Sequence, residues 1–172
     1  MPKLLEIIKN PNPILRKKSK IIDLKKDGLR KLSRLCDDMI ETMIKSDGVG
    51  LAAPQVGENI RIIATSQREQ KKTKDKLLGE TIMINPKIID RSKETILREE
   101  ACISLPNAIG MVRRHRNITV EFLDLKGKKQ NKKYKEFNAV IIQHEMDHLD
   151  GVLFMDKIVK VAEKKKKKMK KA

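Results

Sequence analysis

Residues 138–151 read NAVIIQHEMDHLDG, a stretch that predicts a helix with a typical boundary residue at each end. Asn138 is a residue type that caps helix starts, and Gly151 is one that ends helices. Residues four apart on a helix lie about 40° apart around its axis, so His144 and His148 project from one face and can bind one metal ion. Glu145 is rotated off that line, which suits a base beside a metal-bound water better than a further ligand.

A third metal ligand has to come from elsewhere in the chain. Catalytic ions normally take three protein ligands and keep one position open for water. Cys102 is the best candidate because a thiolate is a strong ligand, and because residues 100–106 form an irregular segment that could turn inward. Cys36, the other cysteine, lies on the apolar face of a predicted helix and is expected to fill the core. A carboxylate, Asp147 or Asp150, remains an alternative ligand.

The remaining hydrophobic patterns predict an α+β fold. Apolar residues recur every three to four positions from Leu29 to Lys45, which predicts an N-terminal helix ended by Asp47-Gly48. Short β-branched or alternating runs predict strands at Ile60–Ser66, at Thr81–Ile84 and around Ile118, Val120 and Phe122. The order helix, strands, helix favours antiparallel or mixed sheets packed around a central metal-binding helix. The polar residues 66–79 are expected to form a mobile connection.

A glycine-rich loop precedes the predicted strands. Residues 48–57 contain G-x-G-x-x-A, but this segment follows a helix and meets Pro54 at once, so dinucleotide binding is not expected. Glycines here would instead let the backbone approach a reacting group closely. Gln55 offers an amide donor to an oxygen that develops negative charge.

The charge of this chain is concentrated at its C-terminal end. Of the net charge of +17, residues 157–172 contribute +8, from nine lysines and one glutamate. Such a run is expected to be a solvated end, with binding to RNA phosphates as the alternative. His115, in the basic stretch 113–116, is expected on the surface. No apolar run approaches about 20 residues and no secretion signal is recognised, so we expect a cytosolic protein with reduced thiols and no membrane partner.

Three segments together resemble the motifs of peptide deformylases. They are GVGLAAPQ at 48–55, EACIS at 100–104 and QHEMDHLDGVLFMD at 143–156. The resemblance extends to NPILR at 12–16, which implies a catalytic domain over residues 1–158 and a lysine-rich tail over 159–172. The second motif departs from the family pattern, because Ala101 replaces a glycine and Ile103 replaces a leucine. If that glycine serves a close backbone approach or a positive φ, Ala101 would add a methyl group and some strain, which would affect pocket shape and turnover rate.

The resemblance implies removal of the formyl group from the N-terminal formyl-methionine of newly synthesised polypeptides, with release of formate. One divalent ion would be bound by Cys102, His144 and His148. Iron(II) is the expected ion in the cell and zinc the second choice, with nickel or cobalt able to substitute. Glu145 would take the proton from the attacking water and pass it to the departing amine.

The family resemblance also assigns roles around the reacting formyl group. Gln55 and the backbone N–H of Ile103 would stabilise the oxyanion. Val49, Gly50 and Leu51 would bind the substrate. N-formylmethionyl nascent peptides are the implied partners, and the basic tail could contact the ribosome or its RNA.

Three alternatives to this function stay open from the sequence. The first is a metallopeptidase that uses the same helix on other amide bonds. The second is a ribosome- or RNA-associated metal-binding protein with weak activity, in which the tail is the functional part. The third is a family member with little activity because of Ala101.

Overall fold

The computed structural model describes residues 1–69 and 76–159. These residues form three α-helices: α1 (Leu24–Asp27), α2 (Leu29–Lys45) and α3 (Glu136–Leu149). Short 3-10 helices occupy Pro13–Arg16, Ala53–Val56 and Phe154–Lys157. The strands are β1 (Gly50–Ala52), β2 (Ile62–Glu69), β3 (Lys76–Arg91), β4 (Thr95–Cys102), β5 (Leu105–His115), β6 (Asn117–Leu123) and β7 (Lys129–Lys135). All of these strands pair antiparallel, so the α+β prediction is confirmed.

The larger sheet has the order β1-β2-β3-β6-β7 and is covered by a helix on each face. Side chains alternate between the faces of a strand, so Ile62 and Ala64 pack in the cluster that contains the α2 residues. Ile63, between them, packs in the cluster that contains the α3 residues. Burial on both faces explains why this strand reads as a continuous apolar run rather than as an alternating one.

The two long helices match the sequence prediction to different degrees. Helix α2 has the predicted bounds, and Cys36 is fully buried on its core face. Helix α3 begins at Glu136, two residues before the predicted cap. Asn138 is not a cap, because its side-chain amide instead bonds both backbone groups of Arg68 at the end of β2. In the part of the chain that is described, no helix has the length and apolar character needed to cross a bilayer.

The segment expected to be irregular around the candidate cysteine is a β-hairpin. Strands β4 and β5 form a separate two-stranded sheet, with Cys102 as the last residue of β4 and a register shift between Ala101 and Cys102. This sheet packs on a third core cluster that includes Val112 of β5 and Phe154. The hairpin therefore presents the cysteine from a strand end rather than from a loop.

Two predicted polar segments fall partly or wholly outside the described residues. The connection expected over residues 66–79 is shorter than predicted, because β2 continues to Glu69 and β3 begins at Lys76. Residues 70–75, between these strands, lie outside the described residues. The lysine-rich tail beyond Val159 lies outside them as well, so the prediction of a solvated end stays a prediction. The last described residues, Ile158 and Val159, pair with β5.

Candidate metal centre

Three donor atoms from distant parts of the chain converge at one point. The sulfur of Cys102 and ring nitrogens of His144 and His148 all lie within 4.8 Å of one another. Cys102 Sγ lies 3.3 Å from His148 Nε2. Bonds of about 2.3 Å to sulfur and about 2.0 Å to nitrogen in a tetrahedral zinc site would place these two atoms about 3.5 Å apart. The observed spacing therefore fits a shared cation.

The two aspartates that were alternatives for the third ligand are occupied by other partners. Asp147 pairs with Arg114 and with Lys157, the latter at 2.7 Å. Asp150 pairs with Arg61 at 2.7 Å. Neither belongs to the cluster of possible metal ligands in the described chain.

A buried carboxylate orients one of the two histidines. The Nδ1–H of His144 donates to Glu100 Oε2 at 2.8 Å, which leaves Nε2 of this ring for a metal. Arg114 donates two hydrogen bonds, of 2.7 and 2.8 Å, to the same carboxylate, and the side chains of Arg114 and Glu100 are less than 5% exposed. Burial raises the pKa of Glu100, but hydrogen bonds from Arg114 and His144 outweigh it and lower this pKa to about 2. Glu100 is thus a permanent carboxylate behind the histidine.

His115 was expected on the surface, but it is half-buried, and its neighbour Arg114 is buried. This arginine points inward because β5 alternates, with Val112 and Arg114 buried and Arg113 exposed between them. His115 is half-buried, and Gln143 of α3 bonds both its backbone N–H and its backbone carbonyl. Arg114 follows the apolar Val112 by two positions, and on a strand this spacing places both side chains on the same face. That spacing was the sequence signal that could have predicted a buried Arg114.

The second histidine is held in the neutral form that binds metals. Burial lowers the pKa of His148 to about 3, and the nearby His144 adds to the effect. Its Nδ1 is buried and has no hydrogen-bond partner among the described residues. The ring packs edge-on against His144, with 5.0 Å between the ring centroids.

Glu145 lies beside the metal ligands with one oxygen free. Its Oε2 is buried and lacks a hydrogen-bond partner within residues 1–69 and 76–159. Burial raises the pKa of Glu145 to about 7, although His144 partly opposes this shift. A Cβ on Gly50 would lie 2.7 Å from the Glu145 carboxyl carbon, so any other residue there would displace this carboxylate from its present position.

A cavity of about 370 Å³ opens onto this cluster. Val49, Gly50 and Ile103 line it, and substrate contact by the first two stays a prediction. Leu51 does not line it, because its side chain points to the opposite face of the sheet and is fully buried in the α2 cluster. Any contact of Leu51 with a substrate would have to involve its backbone. The apolar wall consists of Phe137, Val140 and Ile141 together with Val49 and Ile103.

Gln55 is fixed so that its amide points at the ligand cluster. Its Oε1 accepts a hydrogen bond from the Ala52 N–H at 2.8 Å. Its Nε2 therefore faces Cys102 Sγ at 3.4 Å and Ser104 Oγ at 3.1 Å. The side chain is about 1% exposed, so the amide is held in place by its surroundings.

Ala101, where a family glycine was expected, carries no left-handed backbone strain. It lies within β4, opposite Ile109, and is not one of the residues with positive φ. Ala101 is exposed and lines the cavity, so its methyl group forms part of the cavity surface. The strain expected from a positive φ therefore does not arise, and the effect of this methyl group on pocket shape stays a prediction.

Comparison with known proteins gives one consistent family. The sequence matches the family model described as polypeptide deformylase over residues 4–164. Peptide deformylase from Desulfotalea psychrophila is 37% identical over 153 residues, which are 89% of this chain and 86% of that protein. Peptide deformylase 2 from Nostoc sp. is 41% identical over 158 residues, 91% of this chain and 87% of that protein. The Met-Ala-Ser-bound class I type b peptide deformylase from Acinetobacter baumannii superposes with a TM-score of 0.85 at 33% identity, covering 92% of this chain and 100% of that one.

We expect Glu100→Gln to weaken zinc binding by about 10- to 100-fold, because the carboxylate that orients His144 loses its charge. A competition titration against a chelator measures this affinity. Glu99→Gln is the matched control, since Glu99 is the exposed neighbour on the same strand and also lines the cavity. Equal affinities for the two variants would contradict the role of Glu100.

Proposed function

This chain belongs to the polypeptide deformylase family, and we propose that its hydrolytic centre consists of Cys102, His144, His148 and Glu145. Members of this family are enzymes that remove the formyl group from the N-terminal formyl-methionine of nascent peptides, and the chain shares that activity. The observation that carries the proposed centre is the convergence of three donor atoms beside a buried, unpartnered carboxylate.

The donor set of one thiolate and two imidazoles fits a single divalent ion. We assign iron(II) as the ion in the cell and zinc as the second choice, with nickel or cobalt as substitutes, because all of these accept sulfur and imidazole ligands. When bound, such an ion supplies Lewis-acid chemistry that makes water a stronger acid and polarises a carbonyl group. Glu100 and Arg114 support the site by fixing the ring of His144.

Glu145 is the residue that moves the proton in this proposal. Its free Oε2 accepts a proton from the water that attacks the formyl carbon, and the same oxygen then donates it to the departing amine nitrogen. The C–N bond of the formamide breaks in that second step, which releases formate and the free amino group. Gly50 supports this role because its missing side chain leaves space for the carboxylate.

The negative charge that develops on the formyl oxygen has to be stabilised by hydrogen-bond donors close to the ligand cluster. The Nε2 amide group of Gln55 already faces this cluster, because the Oε1 of the same side chain accepts a hydrogen bond from the Ala52 N–H. The backbone N–H of Ile103, at the hairpin tip beside Cys102, is the second proposed donor. Val49 and Gly50 then contact the substrate through the cavity wall, and Leu51 contributes only its backbone.

The apolar wall of the cavity suits the side chain of methionine. Phe137, Val140 and Ile141 offer aliphatic and aromatic surface, which favours an unbranched thioether over a charged side chain. The Acinetobacter baumannii protein has Met-Ala-Ser bound, and we propose that this chain accommodates the same peptide. We propose that the reaction takes place in the cytosol, where the tail 159–172 is a candidate contact with the ribosome or its RNA.

We expect the metal-loaded protein to release formate from formyl-Met-Ala-Ser and to leave acetyl-Met-Ala-Ser intact, because the formyl carbon carries a hydrogen where the acetyl carbon carries a bulkier methyl group. Formate is measured enzymatically, and the peptides are followed by mass spectrometry. Cleavage of an internal amide bond without formate would favour a metallopeptidase of other specificity and would contradict this proposal.

Glu145→Gln should lower kcat on the formylated tripeptide by about 10²-fold or more, since an amide cannot accept the proton. The bound metal should remain at one equivalent, because Glu145 is not a ligand in this proposal. Glu99→Gln, which removes a carboxylate from the same cavity, serves as the control and should keep nearly full activity. A Glu145→Gln enzyme with unchanged kcat would rule out this residue as the proton carrier.

A further inference from the structure

A second cavity, of about 620 Å³, lies on the other side of helix α3 from the metal centre. The first cavity is lined by Val140, Ile141, His144 and Glu145 of this helix. The second is lined by Gln143, Met146 and Asp147 of the same helix and by Asp150 just beyond it. One helix therefore separates two concave surfaces, and of the residues that line the second only Arg114 also supports the metal site, through Glu100. We call this second surface the basic groove.

The basic groove has a strong excess of positive charge. Its cationic lining residues are Arg61, Lys87, Arg91, Arg113, Arg114 and Lys157. Its only carboxylates are Asp147 and Asp150, so six positive charges minus two negative charges give +4. Both aspartates already have partners, since Asp147 pairs with Arg114 and Lys157, and Asp150 pairs with Arg61. The internal pairs thus account for three of the six cations.

The other three cations, Lys87, Arg91 and Arg113, are exposed and have no acidic partner among the described residues. Arg113 makes one long hydrogen bond to Thr95 Oγ1, at 3.4 Å, and no ion pair. Cations that line a concave surface without counter-charges attract anions more strongly than isolated surface lysines do, because their potentials add within the groove. An anionic ligand is the partner that this surface fits.

Several features favour a chain of phosphates over a single small anion. Lys87 and Arg91 are four residues apart on β3, which corresponds to at most about 13 Å, because a register shift between Ile88 and Asp90 interrupts the regular strand. Arg113 adds a third positive charge from β5, in the other sheet. The lining contains no Phe, Tyr or Trp, and His115 is its one aromatic ring, so contacts to the phosphate backbone would dominate recognition.

The basic groove also lies where the lysine-rich end of the chain begins. Lys157 lines the groove, and Ile158 and Val159 pair with Val112 and Met111 of β5 next to it. The sequence then continues into residues 160–172, with eight lysines and one glutamate. The charge of the groove is therefore continuous along the sequence with the charge of the tail.

We propose that the basic groove binds the phosphate backbone of RNA, through Lys87, Arg91 and Arg113, while the opposite face of α3 acts on the nascent peptide. This inference rests on the proposed function, in which the peptide substrate emerges from the ribosome. Because the ribosome is a ribonucleoprotein, RNA is the source of phosphates closest to the substrate. Among the described residues, Lys87, Arg91 and Arg113, unlike Arg114, make no contact with the metal ligands or with Glu100, so binding and formate release can be varied independently.

The test uses the full-length, metal-loaded protein and a short RNA hairpin as the probe. The groove variant is Lys87→Gln/Arg91→Gln/Arg113→Gln. The control variant is Lys128→Gln/Lys132→Gln/Lys133→Gln, which removes the same charge from exposed positions outside the groove. RNA affinity is measured over a range of salt concentrations, and formate release is measured on the same preparations.

We expect the groove variant to lose at least about tenfold in RNA affinity and to lower the slope of log affinity against log salt by about 2 to 3. The control should lose less than about threefold. Formate release should stay within about twofold in both, which also verifies that the variants are folded. If the groove variant is unstable, the double variant Lys87→Gln/Arg91→Gln, confined to one strand, should lower the slope by about 2.

Equal losses in the groove and control variants would attribute RNA binding to net charge alone and would overturn the proposal. Unchanged affinity in the groove variant would do the same. Displacement of the RNA by inorganic phosphate at matched ionic strength would assign the groove to a small anion instead. Absence of formate release from the wild-type protein would count against the proposed function. The comparison of RNA affinity between the groove and control variants would still test whether the groove binds RNA.

Discussion

The buried ion pair between Glu100 and Arg114 is the interaction on which the metal centre depends. Arg114, on β5, binds the Glu100 carboxylate on β4 and the Asp147 carboxylate on α3, so one guanidinium joins both strands of the hairpin to the helix. Glu100 then holds His144. Removing one member of such a buried pair typically costs about 3–5 kcal/mol, because the other charge remains without compensation. The same pair therefore positions Cys102, two residues after Glu100, against the histidines.

Helix α3 serves the core and the site at the same time. Ala139, Ile142, Met146 and Leu149 follow one another at spacings of three to four residues and pack on the larger sheet. His144, Glu145 and His148 lie on a different side of the helix. Because the helix is buried on nearly all sides, polar residues within it must find partners or ligands. Most do, and the exceptions, Glu145 Oε2 and His148 Nδ1, lie next to the proposed site of chemistry.

Some of this arrangement could be predicted from the sequence because its signals are local. The spacing of His144 and His148 on a helix, and the apolar stripe of α2, depend only on helix geometry. Cys102 could be proposed as a ligand by elimination and by resemblance, but its position at the end of β4 could not. Hairpin β4–β5 escaped prediction because its strands carry many charged residues, as in REE at 98–100 and RRH at 113–115. Only the tertiary partner decides whether such a charge, as at Arg114, is buried or exposed.

The most direct test of the metal centre is X-ray absorption spectroscopy of the zinc-loaded protein, compared with the two cysteine variants. We expect one sulfur at about 2.3 Å and two imidazole nitrogens at about 2.0 Å, with the sulfur signal lost in Cys102→Ser and retained in Cys36→Ser. The chain has only these two cysteines, so the comparison is complete. A sulfur signal that survives Cys102→Ser, or a wild-type spectrum without sulfur, would contradict the convergence of these three ligands on one ion.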